Sequence, residues 1–505
     1  MARTENYNKN PNARNFLYYL NWKSVAGEIA SYGYELSLKK ALSVYIVFFA
    51  GMFIIAKLFS LGTVSMIVIA IAGILALPQI LINSYKNMYE QKRFEEVSQY
   101  MEQMLYSFRG SSKILVSLND VKPLFIDGPM YEAISKAEDV FERGDVDNVE
   151  EVALQNIENE YRCDRLRTMH RFMMKVERLG GDYNDAIQLL INDRAQWVVR
   201  TAGFQKEKNR LRRSTIVSII MATLVCYIMQ NINTQILPSF DKSPVIQFVS
   251  TFLLVGDIIL YTVVDRRLAI DWLDNKQRYS DSEIEKMYEY VQNYDESREK
   301  KKMIKMMVLP IIVAILGVLS KDKIFLIAAV IVAAMVYTQS KRKYSKTVKA
   351  LQREIRIAFP RWLMELTLHL QTQPVQVSIF MSIATAPAIL KPELIKLKEQ
   401  LEENPNSMQP YTDFLGEFRM ADIRSTMKML YSIQLGNTDE EKEGEQIVDL
   451  ITRNNTMLDE AEKLRNEDAL AGMLALELTP QLLSSVHLVV SLLTLLMMVF
   501  TTIQV

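Results

Sequence analysis

The chain alternates between long apolar runs and long charged stretches. Residues 41–60 and 63–82 are two nearly uninterrupted apolar blocks. A helix rises about 1.5 Å per residue, so roughly 20 apolar residues cross a bilayer core of about 30 Å. Both blocks meet that length, and the link at Leu61-Gly62 is short enough only for a hairpin. Residues 215–237 and 245–264 make a second such pair around Pro238 and Pro244. Residues 306–320 and 324–337 form a shorter pair, with Pro310 positioned to kink its first member. Residues 486–505 are a single final block. The pattern predicts an all-α integral membrane protein with about seven transmembrane helices.

Between these blocks the apolar residues recur at helical spacing with charged faces, which predicts helical bundles at 83–213 and 339–482. The first is expected to hold about five or six helices. Pro123, Asp127-Gly128-Pro129 and Gly144-Asp145 mark its loops. In the second, Pro360, Pro374, Pro387, Pro392, Pro405 and Pro410 are expected to divide the chain into short helices. Residues 265–305 read as a charged, solvated helix or linker between two halves. Residues 1–40 read as an interfacial or cytoplasmic segment, polar and then aromatic at Phe16, Tyr18, Tyr19 and Trp22, without the pattern of a cleavable signal peptide.

Lysine and arginine set the expected orientation. Lys39, Lys40, Lys86, Lys92, Arg93, Arg210, Arg212, Arg213, Arg266 and Arg267 fall on one side of the apolar blocks. The other side holds only Lys57, Lys242, Lys321 and Lys323. Both polar regions are therefore expected in the cytoplasm and Val505 outside, in a multi-pass protein of the cell membrane.

Composition adds mostly exclusions. Lys+Arg and Asp+Glu are both 59, so nothing in the bulk charge suggests nucleic acid. There are two cysteines and three histidines, and no HExxH, CxxC, P-loop or GxSxG pattern. No catalytic residue, metal ligand or cofactor site is expected, and the protein reads as a non-enzyme.

One local motif occurs twice. Met173, Val176 and Leu179 end a helical pattern at Gly180-Gly181, where positive φ is available, and Asp182 can cap a new helix bearing Ala186, Ile187, Leu190 and Ile191. Downstream, Leu435-Gly436-Asn437 repeats the stop, Thr438 and Glu441 have capping-box spacing, and Ile447, Leu450 and Ile451 carry the new face. Each turn lies about 100 residues past an apolar hairpin, which suggests a tandem duplication with a period of roughly 250.

This arrangement resembles the type II secretion system F domain, as found in the inner-membrane platform proteins of type IV and tight-adherence (Tad) pili. The residues carrying the resemblance are Val176-Glu177-Arg178-Leu179-Gly180-Gly181-Asp182 with Ala186-Ile187-Gln188-Leu189-Leu190, the weaker Leu435-Gly436-Asn437 copy, and the flanking apolar blocks. The chain looks like two such proteins fused, or one duplicated. It departs from the pattern in an acidic insertion after the second turn and in a final span without a partner. The resemblance implies a platform that docks a cytoplasmic hexameric assembly ATPase and couples it to pilin or pseudopilin-like subunits. It also implies that the two turns, Gly180, Gly181, Asp182 and Gly436, Asn437, Thr438, orient docking helices. Membrane lipids are further partners, and self-association is left open.

Two features have competing readings. Asp257 is the one carboxylate well inside an expected span, and is either an ion or subunit site or a hydrogen-bonded helix contact with His487 or a Ser/Thr. The basic residues Lys206, Lys208, Arg210, Arg212 and Arg213 either touch the ATPase or act as topology signal and lipid-headgroup contact. The rival function is a secondary transporter or channel using Asp257. Against it stand the two large polar regions and the scarcity of polar residues and helix breaks in the spans.

Overall fold

The computed structural model describes residues 19, 21–144, 147–180, 183–269, 272–273, 279–295, 297, 301, 304–308, 310–312, 314–315, 323–370, 373–436 and 440–503. All regular elements among them are helical. The chain divides into two compact units. The first comprises Met1–Gly180, Leu190–Asn275 and Asp468–Val505; the second comprises Gly181–Leu189 and Lys276–Glu467.

The first unit begins with α1 (Trp22–Ser31), α2 (Leu38–Leu58) and α3 (Thr63–Ser111). Four short helices follow: α4 (Ile114–Val121), α5 (Pro129–Arg143), α6 (Val149–Tyr161) and α7 (Asp164–Leu179). Then come α8 (Asn184–Ile236), α9 (Pro244–Leu268) and, at the far end of the chain, α17 (Met473–Ile503). Five helices, α2, α3, α8, α9 and α17, are long and apolar enough to cross a membrane. The hairpin expected at 306–338 lies partly outside the described residues. α17 starts well before residue 486, so the last apolar block and the polar residues ahead of it form one helix, with Pro480 inside. In the α2–α3 hairpin, Gly73 gives the space Phe48 needs: a Cβ there would lie 2.3 Å from the Phe48 ring.

The charged half of α3 carries a bundle. α4 and α7 pack on it, and α5, α6 and α7 pack in sequence. Pro129 starts α5 as the first-turn residue, and Gly144 ends it in the left-handed conformation. Met101, Met104, Phe108, Ile134, Ile157 and Met173 are fully buried. Beside them lies a polar triad with Tyr100 and His170 fully buried, in which the Tyr100 hydroxyl lies 3.0 Å from His170 Nε2 and His170 Nδ1 lies 2.9 Å from Glu158. Burial, then Glu158, pushes the Tyr100 phenol up, so it stays neutral.

The second unit differs from the sequence expectation in two places. Residues 281–292 are a helix, one of the two expected forms, but not a wholly solvated one. They form α10 (Asp281–Gln292), opened by a Ser280/Glu283 capping box, and Ile284 and Tyr288 are buried in the unit's core. Pro360 does not end a helix either. It is buried within α11 (Lys323–Leu370), where core packing outweighs the hydrogen bond it cannot donate. Other prolines do open helices: Pro374 precedes α12 (Val375–Ser382), Pro392 lies in the first turn of α13 (Lys391–Glu403), and Pro410 in that of α14 (Gln409–Asp413). α15 (Ala421–Gln434) and α16 (Glu440–Ala469) complete the chain between the units. Trp362 is the largest fully buried side chain, stacked on Phe414 at 6.0 Å with its Nε1 donating to Ser382 Oγ at 2.8 Å.

Candidate functional site

The five apolar helices hide polar groups. Along the apolar part of α8, residues 215–236, the buried residues are Thr215, Ser218, Ala222, Cys226, Gln230 and Asn233. Their spacing of three and four places them on one face. Val217, Ile220, Leu224 and Ile228 lie exposed on the other side. α17 adds buried Ser484, His487, Ser491 and Thr494, and α9 adds Ser250 and Asp257. Gln230 donates to the Phe59 carbonyl at 2.8 Å and accepts from Ser250 at 3.2 Å. Ser250 lies 3.0 Å from His487 Nε2, and Ser491 lies 3.4 Å from Nδ1. Near the other end, Ser214 donates to the Glu477 carboxylate and Ser218 to the Glu477 carbonyl. In hydrocarbon each polar group needs an internal partner, and facing helices supply it.

Asp257 is 4% exposed. Thr223 donates to its Oδ2 at 3.4 Å, while Oδ1 has no hydrogen-bond partner among the described residues. His487 is not that partner, because its ring nitrogens face Ser250 and Ser491. A second carboxylate, Glu477, lies at the start of the stretch Ala475–Thr501 that could cross a membrane. Sequence reasoning missed Glu477 because it began the last span at residue 486. It also missed the stripe on α8, since a hydropathy average hides small polar residues recurring every third or fourth position.

The basic run on α8 splits by face. Lys206, Arg210 and Arg213 are exposed, with Arg210 paired to Glu207. Lys208 and Arg212 turn inward. Arg212 reaches Asp265 at 2.9 Å, and Asn83 donates to the same carboxylate at 3.0 Å. Lys208 Nζ lies 5.6 Å from the Phe204 ring centre and 5.8 Å from that of Trp272.

The two Leu-Gly turns are not alike. Gly180 ends α7 at φ 66° and ψ −174°, a region open essentially to glycine alone, and its N–H bonds to the Val176 carbonyl four residues back. Gly436 has φ 49°, and its N–H bonds to Ile433, three residues back. A Cβ would meet no atom within 4 Å at Gly180 and only the Gln434 carbonyl oxygen, at 3.9 Å, at Gly436. Gly181, Asp182, Asn437 and Thr438 lie outside the described residues.

Among the described residues no group of three or more His, Cys, Asp or Glu side chains is arranged to hold a metal ion. The Tyr100–His170–Glu158 triad has the residue types of a proton relay, but Tyr100 and His170 are sealed from solvent. No family model, curated protein or solved structure matches the chain.

Proposed function

We propose that this chain is the membrane platform of a type IV or Tad-like pilus, or of a related secretion machine, and not an enzyme. Its helical domains would face the cytoplasm and dock an assembly ATPase, and its membrane helices would meet pilin-like subunits. The proposal includes seven spans, adding the 306–338 hairpin to the five long apolar helices, and a tandem pair of cytoplasmic domains. The observation that carries it is helix continuity. α3, α8 and α11 have 49, 53 and 48 residues, and each is apolar in one part and charged in another. A helix of that length spans about 70–80 Å and transmits a push at one end to the other. That is the part a machine needs between a soluble motor and a membrane-embedded cargo.

The test is crosslinking in native membranes followed by purification of the full chain. Recovery of a hexameric assembly ATPase with it is the expected result. Recovery of no ATPase, with transport of a solute by the purified chain in vesicles, would favour the transporter reading. The specific observation behind that reading is the partnerless oxygen of Asp257, so transport there should be lost in Asp257→Asn.

A further inference from the structure

Two short stretches 257 residues apart are built alike. Tyr161 ends α6, Phe418 ends the 3₁₀ turn Gly416–Phe418, and both rings are buried. The next residues, Arg162 and Arg419, are both left-handed, at φ 44°, ψ 45° and φ 51°, ψ 45°. Cys163 and Met420 then run extended, at φ −106° and φ −93°, and α7 and α15 begin. Leu166, Met173 and Val176 of α7 and Ile423, Leu430 and Ile433 of α15 are buried at matching positions.

Of the sixteen positions from 161 to 176, two have the same residue 257 places later: Arg162, matched by Arg419, and Arg167, matched by Arg424. All four arginines are exposed. Buried positions between them differ, with His170 matched by Met427 and Met169 by Thr426. Packing constrains buried positions and leaves exposed ones freer to vary, so folding alone would keep the opposite set. Nor does the turn call for arginine. The left-handed conformation penalises a β-carbon, and glycine or asparagine holds it more easily. The side chains of Arg162, Arg419 and Arg424 make no hydrogen bond or ion pair among the described residues. Arg167 pairs at 3.2 Å with the exposed Asp164, a contact that holds it weakly. Each turn therefore presents guanidinium groups that the core does not use, and guanidinium matches carboxylate.

Depth selects the partner. Beside the first turn Arg93 of α3 donates to the Glu160 carbonyl, and beside the second Gln352 of α11 donates to that of Phe418. Arg93 lies eleven residues past Ile82 and Gln352 fifteen past Tyr337, where the apolar stretches end. That is about 16 and 22 Å along a helix, whereas headgroups reach only about 5–8 Å beyond the hydrocarbon. On the proposed placement lipid is out of reach and a soluble protein is not. A homo-oligomer carries the same face on every subunit, so it can offer an acidic patch to each turn. We propose, resting on the platform reading, that Arg162 with Arg167, and Arg419 with Arg424, bind carboxylates on the assembly ATPase.

The experiment purifies the full chain from native membranes and measures the ATPase recovered with it. Arg162→Gly combined with Arg419→Gly keeps the left-handed turns and removes both guanidinium groups. Recovery should fall about tenfold, and a single variant should lose about threefold. The double variant should melt no lower than the natural chain, because glycine takes the conformation freely. Exposed Arg143→Gln should leave recovery unchanged. Equal recovery by the double variant and the natural chain would overturn the arginine site and leave the platform reading standing. Recovery of no ATPase with the natural chain would overturn both. Should the glycine variant fail to fold, unchanged recovery by Arg167→Gln with Arg424→Gln would overturn the site instead. Phosphatidylglycerol bound about tenfold more weakly by the double variant, read by native mass spectrometry, would overturn the protein partner in favour of lipid.

Discussion

Around Gln230 the buried neighbours are Ser250, His487 and the Phe59 carbonyl, while Leu224, Val225, Ile228 and Ile232 lie exposed on the same helix. Around Trp362, in the second unit, the buried neighbours are Phe359, Phe414 and a leucine-rich cluster, with Ser382 as a single polar partner. On the proposed placement the two regions solve the same problem in opposite solvents, lipid and water. In water, burying apolar surface drives folding, so the large rings go inside. Against lipid tails no such drive separates helix from surroundings, so packing and interhelical hydrogen bonds choose the inner face. The difference has an energetic side: polar contacts in the apolar helices should be individually weak, and apolar contacts in the second unit individually strong.

Trp362→Ala gives the largest expected effect. It removes a fully buried ring and leaves Ser382 without its donor, a loss of about 3–5 kcal/mol. Limited proteolysis in membranes should cut the second unit while the five apolar helices stay protected. Equal protection of variant and natural chain would show that this core is not the main support of the unit.

The two buried histidines sharpen the contrast, since both are fully covered. His170→Phe strands the buried Tyr100 hydroxyl in the water-facing bundle, at a cost of about 1–3 kcal/mol. His487→Phe breaks contacts to Ser250 and Ser491 between apolar helices, where such bonds average about 0.6 kcal/mol. Thermal melts of both variants in one detergent should show the larger drop for His170→Phe. The reverse order would break the comparison.

The last contrast, which includes the smallest single effect, concerns the turns. Gly180→Asn forces a Cβ into a glycine-only region and should cost about 1–3 kcal/mol. Gly436→Asn, at φ 49°, should cost only a few tenths, about 0.5 kcal/mol, because asparagine tolerates the left-handed region. Amide hydrogen exchange in α7 and α15 checks this, with faster exchange expected near Gly180 alone.

The five long apolar helices were legible in the sequence, because length and apolar composition alone decide whether a helix can span a bilayer. The stops at Gly144 and Gly180 were legible too, since glycine reaches positive φ without a Cβ penalty. Tertiary structure decided what composition leaves open. It decided that Ile284 and Tyr288 belong to a core and not to a linker, because helical spacing says which face is apolar but not what covers it. It decided that Pro360 stays inside a helix, because neighbouring packing sets whether a lost hydrogen bond is tolerated. It also turned Lys208 and Arg212 inward while Lys206, Arg210 and Arg213 face out. A run of like charges reads the same on either face of a helix, and only the partners across the gap, Asp265 and Trp272, distinguish them.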